Sequence, residues 1–198
     1  MSTIFTWLDP LFIVHTLGLL GVWLIIFAES GLFFGFFFPG DSLLFTAGFL
    51  ASQGYLNIWW LVGGAVVAAI LGDNVGYWFG KKVGPKIFTR EESVFFHQDH
   101  VRRAAEFFNQ HGKKAIIIAR FIPIVRTFTP ILAGVGKMEY KTFIAYNLIG
   151  GVLWGGGLTL AGYILGATVP GVDQYLWPII ILIVFVSFLP ALKHFFTK

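Results

Sequence analysis

Two arginines and two carboxylates interrupt stretches of the chain that are otherwise apolar enough to lie in a lipid bilayer. Arg120 and Arg126 lie within residues 115–130, and Glu29 and Asp41 bracket a phenylalanine-rich run. An ionised side chain at the bilayer centre costs roughly 2.5–3.5 kcal/mol even on lenient insertion scales. Arginine presents a planar fork of donors that suits phosphate, and a carboxylate in apolar surroundings can carry a proton. We therefore expect a buried charged site.

The composition indicates an integral membrane protein. Of the 198 residues, 57% are hydrophobic and only 12% are charged, which excludes a disordered or ordinary soluble chain. The length suits a single membrane domain over residues 1–198. Eight of the 14 Lys and Arg lie between Lys81 and Lys114, as in a loop at a membrane surface, so the net charge does not indicate nucleic acid binding. The chain has no cysteine, and we expect neither a metal nor a cofactor.

Four stretches are long and apolar enough to predict membrane-spanning helices. They are residues 10–28, 56–80, 140–167 and 176–193. Two further apolar runs, 31–50 and 115–136, contain prolines and glycines that oppose a continuous helix. We expect each run to form a re-entrant helical hairpin, because irregular backbone at membrane depth must be buried in protein or line a wet cavity.

The predicted hairpin breaks lie at Pro39, Gly40, Pro123 and Pro130. Proline lacks a backbone donor and glycine tolerates positive φ, so both favour an interruption. Between the hairpins, residues 89–112 combine a helix-capping sequence with one apolar face and a charged remainder. This pattern predicts an amphipathic helix at the membrane interface.

The two halves of the chain resemble each other when it is shifted by 86 residues without gaps. Eight identities fall within 34 positions, including Gly48 with Gly134 and Tyr77 with Tyr163. We therefore predict an internal repeat. Its parts are half 1 at about 10–80, a surface loop with the amphipathic helix at about 81–114, and half 2 at about 115–193.

The basic segment 81–114 predicts the orientation of the repeat. Lys and Arg are enriched in cytoplasmic loops, so we expect this segment and both termini in the cytoplasm. The first hairpin then opens outward and the second opens inward. Inverted repeats with broken segments near the midplane are typical of secondary transporters.

The spacing of the charges shows why the breaks matter. On a straight helix Glu29 and Asp41 would lie about 18 Å apart along the axis, and Arg120 and Arg126 about 9 Å apart. Hairpins turned at the breaks could bring all four side chains together, either as structural ion pairs or as a ligand site. Asp73 is predicted either to snorkel or cap near the interface or to line a transport pathway, and the sequence leaves both open.

The charged residues lie in a longer pattern of motifs. The matching pieces are Glu29, the turn Phe38-Pro39-Gly40-Asp41, Gly72-Asp73-x-x-Gly76-Tyr77-x-x-Gly80, and Arg120-Phe121-x-Pro123-x-x-Arg126-x-x-x-Pro130-x-x-Ala133-Gly134. In their order and spacing the chain resembles the DedA family of bacterial membrane proteins, which is related to the eukaryotic VTT-domain lipid scramblases. The resemblance runs from about residue 10 to residue 190.

This resemblance implies re-entrant hairpins and transport of lipid phosphates, with Glu29, Asp41, Arg120 and Arg126 as the functional residues. Some family members look like undecaprenyl phosphate translocases that depend on the proton motive force. We therefore expect a lipid-phosphate transporter of the bacterial inner membrane rather than an enzyme. The arginines would bind the phosphate, and the carboxylates would couple protons or pair with the arginines.

Two alternatives stay open at this stage. The first is a phospholipid scramblase without ion coupling, and the second is a non-transporting structural protein of envelope assembly. In the transport interpretations the partner is a membrane lipid, either a polyprenyl phosphate or a phospholipid, with protons as the coupled ion. A homo-oligomer is compatible with the sequence, which fixes neither the lipid nor the direction of transport.

Overall fold

The computed structural model describes residues 10–32, 35, 38–87, 114–175, 177–183 and 185. Its elements in chain order are α1 (Pro10–Gly31), α2 (Gly40–Ser52), α3 (Ile58–Ile87), α4 (Ala115–Ala119), α5 (Pro123–Val135), α6 (Tyr140–Gly151), a π-helical turn (Val152–Gly156), α7 (Gly157–Thr168) and a 3-10 turn (Val172–Tyr175). Residues 177–183 are also helical. Within these described ranges there is no strand, so the predicted all-α fold is confirmed.

Three helices are long and apolar enough to cross a membrane: Pro10–Gly31, Ile58–Val83 and Tyr140–Thr168. The first contains an interruption at Gly18, where φ is 58°. The third runs from α6 through the π-helical turn into α7. The amphipathic helix predicted at 89–112 lies outside the described residues, and so does most of the fourth predicted span at 176–193.

Helix α3 is longer than the sequence predicted. We expected it to end at residue 80, before Lys81 and Lys82, but it continues to Ile87. Lysine is a good helix former, so two adjacent lysines do not end a helix by themselves. The Lys81 ammonium also packs over the Trp78 ring of the same helix at 5.1 Å from its centroid, where its stem covers apolar surface.

The prediction that residues 31–50 form a hairpin by themselves was wrong. Among the described residues of that run, an α-helix begins only at Gly40. Instead α1 and α2 are the two arms, and the chain turns between them. The His15 and Tyr55 rings meet edge to face with centroids 5.2 Å apart, so the open ends of both arms lie together. Pro39, where the sequence predicts the break, directly precedes α2, and residues 10–28, predicted as a span, lie within α1.

The turn between α1 and α2 reaches the middle of α3. A Cβ placed on Gly31 would lie 2.9 Å from the Gly72 carbonyl oxygen, and Gly72 is 14 residues from the start of α3 and 15 from its end. Helix α2 has 13 residues and is about 20 Å long at 1.5 Å per residue, which is shorter than the roughly 30 Å hydrocarbon core.

Helices α4 and α5 form a second hairpin that packs against the other half of α3. Ile116 of α4 and Ala133 of α5 belong to one buried apolar cluster with Tyr77 and Phe143. A Cβ on Gly134 would clash with the Tyr77 carbonyl oxygen. The two hairpins therefore contact different halves of α3.

Glycines allow both hairpins to approach the long helices closely. A Cβ on Gly48 of α2 would clash with the Thr159 carbonyl of α7, and one on Gly162 would clash with the Phe45 carbonyl. A Cβ on Gly80 of α3 would likewise clash with the Ile131 carbonyl of α5. Backbones that touch in this way are typical of helix packing in membranes, where small residues line the interfaces.

Candidate functional site

Arg126 of α5 is held by two carboxylates from the first hairpin. Its Nη2 donates to Glu29 Oε1, and its Nη1 donates to Asp41 Oδ1 at 2.5 Å. The side chains of Glu29 and Arg126 are only 1% and 6% exposed, and that of Asp41 is 16% exposed. The structure therefore places three of the four predicted charges in one buried cluster.

Helix ends position this cluster. Asp41 lies in the first turn of α2, where the helix dipole favours negative charge. The preceding residue, Gly40, lies against Glu29, and a Cβ there would clash with Glu29 Oε2. Arg126 lies one turn into α5, which begins with Pro123, and its backbone N–H donates to the Ile122 carbonyl at 2.8 Å.

Arg120 does not join this cluster. It lies at the break between α4 and α5, and its Nη2 donates to Asp73 Oδ2 and to Asn147 Oδ1, the latter at 3.0 Å. The side chains of Arg120 and Asp73 are 4% and 8% exposed. Asp73 therefore neither snorkels to the surface nor caps a helix, which were two of the roles left open for it. Its ion pair joins the second hairpin to the middle of α3.

The Trp154 ring is close to both arginines of the site. Its ring centroid is 4.3 Å from Arg126 Cζ and 5.8 Å from Arg120 Cζ. Because both distances refer to one centroid, the two guanidinium carbons are at most about 10 Å apart. The indole Nε1 also donates to Asp41 Oδ1 at 2.8 Å. The charges therefore form two adjoining parts of one site.

Sequence reasoning missed Trp154 and Asn147. Both residues lie on the third apolar span and carry a hydrogen-bonding group in the side chain. Each is 1% exposed or less. The sequence feature that could have indicated Trp154 is the set of glycines around it. Gly150 and Gly151 precede it, and Gly155, Gly156 and Gly157 follow it. A lone tryptophan among glycines in a predicted span indicates a position where other groups approach the ring closely.

The four predicted break residues lie at different points of the helices. Pro39 and Gly40 stand where α2 begins, and Pro123 is the first residue of α5. Pro130, however, lies inside α5, which continues to Val135. Proline costs a helix one backbone donor, but α5 packs along α3 at this point: a Cβ on Gly76 would lie 3.3 Å from Pro130 Cβ. Packing of Pro130 against α3 offsets the missing hydrogen bond.

Three polar atoms of the site are buried without a hydrogen-bond partner in the described part of the chain. They are Glu29 Oε2, Arg120 Nη1 and Arg126 Nε. Buried polar groups are normally satisfied, so unpartnered ones in a charged site point to water, protons or a ligand. No group of three or more His, Cys, Asp or Glu that could hold a metal occurs among the described residues.

The fold and the site define an all-helical membrane protein with buried ion pairs at helix breaks. A model of the VTT domain matches residues 38–164. The chain belongs to this family, the VTT-domain or DedA family of membrane proteins. The resemblance read from its motifs is therefore confirmed.

Similar proteins cover most of the chain. An uncharacterized membrane protein of Mycobacterium leprae is 48% identical over 191 residues, which are 93% of this chain and 85% of that protein. A second uncharacterized membrane protein, from Mycobacterium tuberculosis, is 44% identical over 193 residues, 93% of this chain and 84% of its own length. Protein DedA of Escherichia coli is 46% identical over 179 residues, 86% of this chain and 81% of its own length. No solved structure matches the chain.

Proposed function

We propose that this protein transports lipid phosphates across the bacterial inner membrane. The observation that carries the proposal is Arg126, a buried guanidinium whose two terminal nitrogens are held by carboxylates from two different helices. Carboxylate and phosphate present the same kind of oxygen to an arginine fork. A phosphate head group could therefore displace the carboxylates without leaving the arginine unpaired.

The backbone geometry supports two re-entrant hairpins arranged as an inverted repeat. The first turn reaches the middle of α3, and the second break, at Arg120, contacts Asp73 one residue beyond that point. The close contact of Gly48 with α7 has a counterpart at Gly134 with α3, and these glycines are paired by the 86-residue shift. With α3 and the continuous helix Tyr140–Thr168 as membrane-spanning helices, this would be an alternating-access architecture.

The charge count supports coupling to protons. The site contains Arg120 and Arg126 against Glu29, Asp41 and Asp73, which leaves one carboxylate in excess over two guanidinium groups. A buried excess charge is costly, so the empty site favours uptake of a proton. Entry of a phosphate adds further negative charge and would require protonation or release of a carboxylate.

The substrate we propose is a polyprenyl phosphate, with undecaprenyl phosphate as the physiological case. Arg126 and Arg120 would bind the head group, while the isoprenoid tail stays in the surrounding lipid. The segment 81–114 and the C-terminus would face the cytoplasm, by the distribution of Lys and Arg, and the open end of the first hairpin would face the outside. The protein would then return the envelope lipid carrier without chemically altering it.

One observation favours the structural alternative. Each of the two arginines and three carboxylates of the site is paired with an opposite charge in the described structure, as expected of residues that only hold the hairpins together. In a transporter these ion pairs would break and be replaced by contacts with the substrate during the cycle, whereas in a structural protein they would stay intact. The variants below are therefore chosen to separate folding from transport.

Proteoliposomes that contain a labelled isoprenyl phosphate test the proposal. We expect wild-type protein to move the lipid between leaflets and to do so faster with a pH gradient. Arg126→Lys should lower the rate of lipid movement at least 100-fold, because it removes two charge-assisted hydrogen bonds worth roughly 1.5–3 kcal/mol each. The protein should stay folded. Lys141→Arg, at an exposed position, is the matched control. Wild-type activity in Arg126→Lys at equal incorporation would contradict an arginine fork as the phosphate site.

A further inference from the structure

Trp154 is a buried aromatic ring that touches the functional groups of both ion-pair clusters. It is 1% exposed, and it lies in the π-helical turn Val152–Gly156. Such turns are rare and occur frequently at functional sites. The cation–π contact at 4.3 Å is to Arg126, the arginine that we propose as the main phosphate ligand.

Two hydrogen-bond donors converge on a single oxygen of Asp41. The Trp154 indole N–H donates to Oδ1 at 2.8 Å, and Arg126 Nη1 donates to the same atom at 2.5 Å. The neighbouring Arg126 Nη2 donates to an oxygen of Glu29. Three donors thus face two oxygens that belong to separate residues. Two oxygens of one phosphate would need the same arrangement.

We propose that the Trp154 indole N–H is a direct ligand of the phosphate, a third donor beside the fork of Arg126. This inference rests on the proposed function. When the phosphate displaces Asp41, its oxygen takes the place of Oδ1 and receives both hydrogen bonds. An indole nitrogen is only a donor, so it favours an anion at this point. The ring face also holds the guanidinium in place while the carboxylates are displaced.

Binding of farnesyl phosphate to the purified full chain, with farnesol as the uncharged control, tests this role. The comparison is made in an Asp41→Ala background, where the indole has lost its carboxylate partner. If Trp154 acted only through Asp41, adding Trp154→Phe to that background would leave binding unchanged. If it binds phosphate directly, the added substitution should weaken farnesyl phosphate binding roughly tenfold or more, the effect of one hydrogen bond to a charged group.

The double variant should bind farnesol as tightly as Asp41→Ala does. The control Trp59→Phe, at a 78% exposed ring, added to the same Asp41→Ala background, should leave farnesyl phosphate binding unchanged. Equal affinities, within twofold, of Asp41→Ala with and without Trp154→Phe would overturn the inference but leave the proposed function intact. Failure of the wild-type protein to bind farnesyl phosphate would overturn both.

A second measurement covers the case in which the double variant does not fold. The chain has seven tryptophans, and their indole N–H groups give separate resonances in wild-type protein labelled with nitrogen-15 tryptophan. We expect one buried indole resonance to shift downfield on addition of farnesyl phosphate and not on addition of farnesol. If none of the seven responds to the phosphate, the inference is wrong.

Discussion

Asp73 pairs with Arg120 across 47 positions of the sequence, and Asn147 binds the same guanidinium nitrogen at 3.0 Å. The two arginines of the site are therefore not equivalent. Arg126 faces two carboxylates at the tip of the first hairpin. Arg120 faces one carboxylate and one amide, both on the long helices.

Removing the charge of Asp73 should destabilise the protein. Asp73→Asn leaves Arg120 buried without a counter-ion, and breaking a buried pair in this way costs roughly 3–5 kcal/mol. The double variant Asp73→Asn/Arg120→Gln removes both charges and should recover part of that loss. Thermal unfolding in detergent measures the double variant and both single variants, Asp73→Asn and Arg120→Gln, against wild type. If the double variant loses as much free energy of unfolding as the two single variants lose together, the two residues are not coupled.

Removing the charge of Asp41 should affect transport more than folding. Asp41→Asn fixes one protonation state with almost no change in volume, and Arg126 keeps Glu29 as a counter-ion. We expect a stable protein that still binds a lipid phosphate, because a competing anion has been removed, but that does not release it. Any remaining transport should no longer depend on a pH gradient. Stability and binding are measured on the same preparation.

The outcome for Asp41→Asn separates the two interpretations of the site. A fall in stability of roughly 3–5 kcal/mol, the cost of an uncompensated buried charge, together with loss of binding, would contradict proton coupling through Asp41. It would favour a purely structural role for the pair instead.

The close crossing of α2 and α7 should not tolerate a methyl group. Gly162→Ala places a Cβ against the Phe45 carbonyl, and overpacking of this kind typically costs 1–3 kcal/mol. Gly157→Ala on the same helix meets nothing within 4 Å and should be neutral or stabilising by up to about 1 kcal/mol. Unfolding of the two variants, compared under identical conditions, measures the difference. Equal stability would mean that the helices are farther apart than described.

The hairpins predict which positions react from the same side of the membrane. The chain has no cysteine, so single cysteines can be introduced directly. Cysteines at Thr16 and Gln53, both exposed near the open ends of the first hairpin, should react with an impermeant thiol reagent from the outside. Cysteines at Lys114 and Lys137, which bracket the second hairpin, should react only from the cytoplasm. Reaction of either pair from opposite sides would exclude re-entrant hairpins.

Sequence reasoning found the charged residues because ionised groups in apolar runs are costly and therefore conspicuous. Pro39 and Pro123 marked two breaks for a similarly local reason, the missing backbone donor. The pairing of Arg120 with Asp73 could not be found in this way, because it depends on where the second hairpin meets α3. Pro130 was misread for the same reason: packing against α3 decided its conformation, and local propensity did not.

The first arm of the first hairpin shows a related limit. Residues 10–28 have the length and apolarity of a complete span, and composition alone does not show that the end of such a helix lies against the middle of α3. The distinguishing contact, Gly31 against Gly72, joins residues that are 41 positions apart in the sequence.

Within the described residues, buried apolar side chains form two separate clusters, one around the first hairpin and one around Tyr77 and Phe143 that holds the second. Helix α4 of the second hairpin has only five residues, so most of its backbone groups lie at helix ends, where local opening is easiest. Amide hydrogens of α4 should therefore exchange with solvent faster than those of α2, which has 13 residues. Arg120, which directly follows α4, would then be carried on the more mobile element, and its partner Asp73 on the long helix α3.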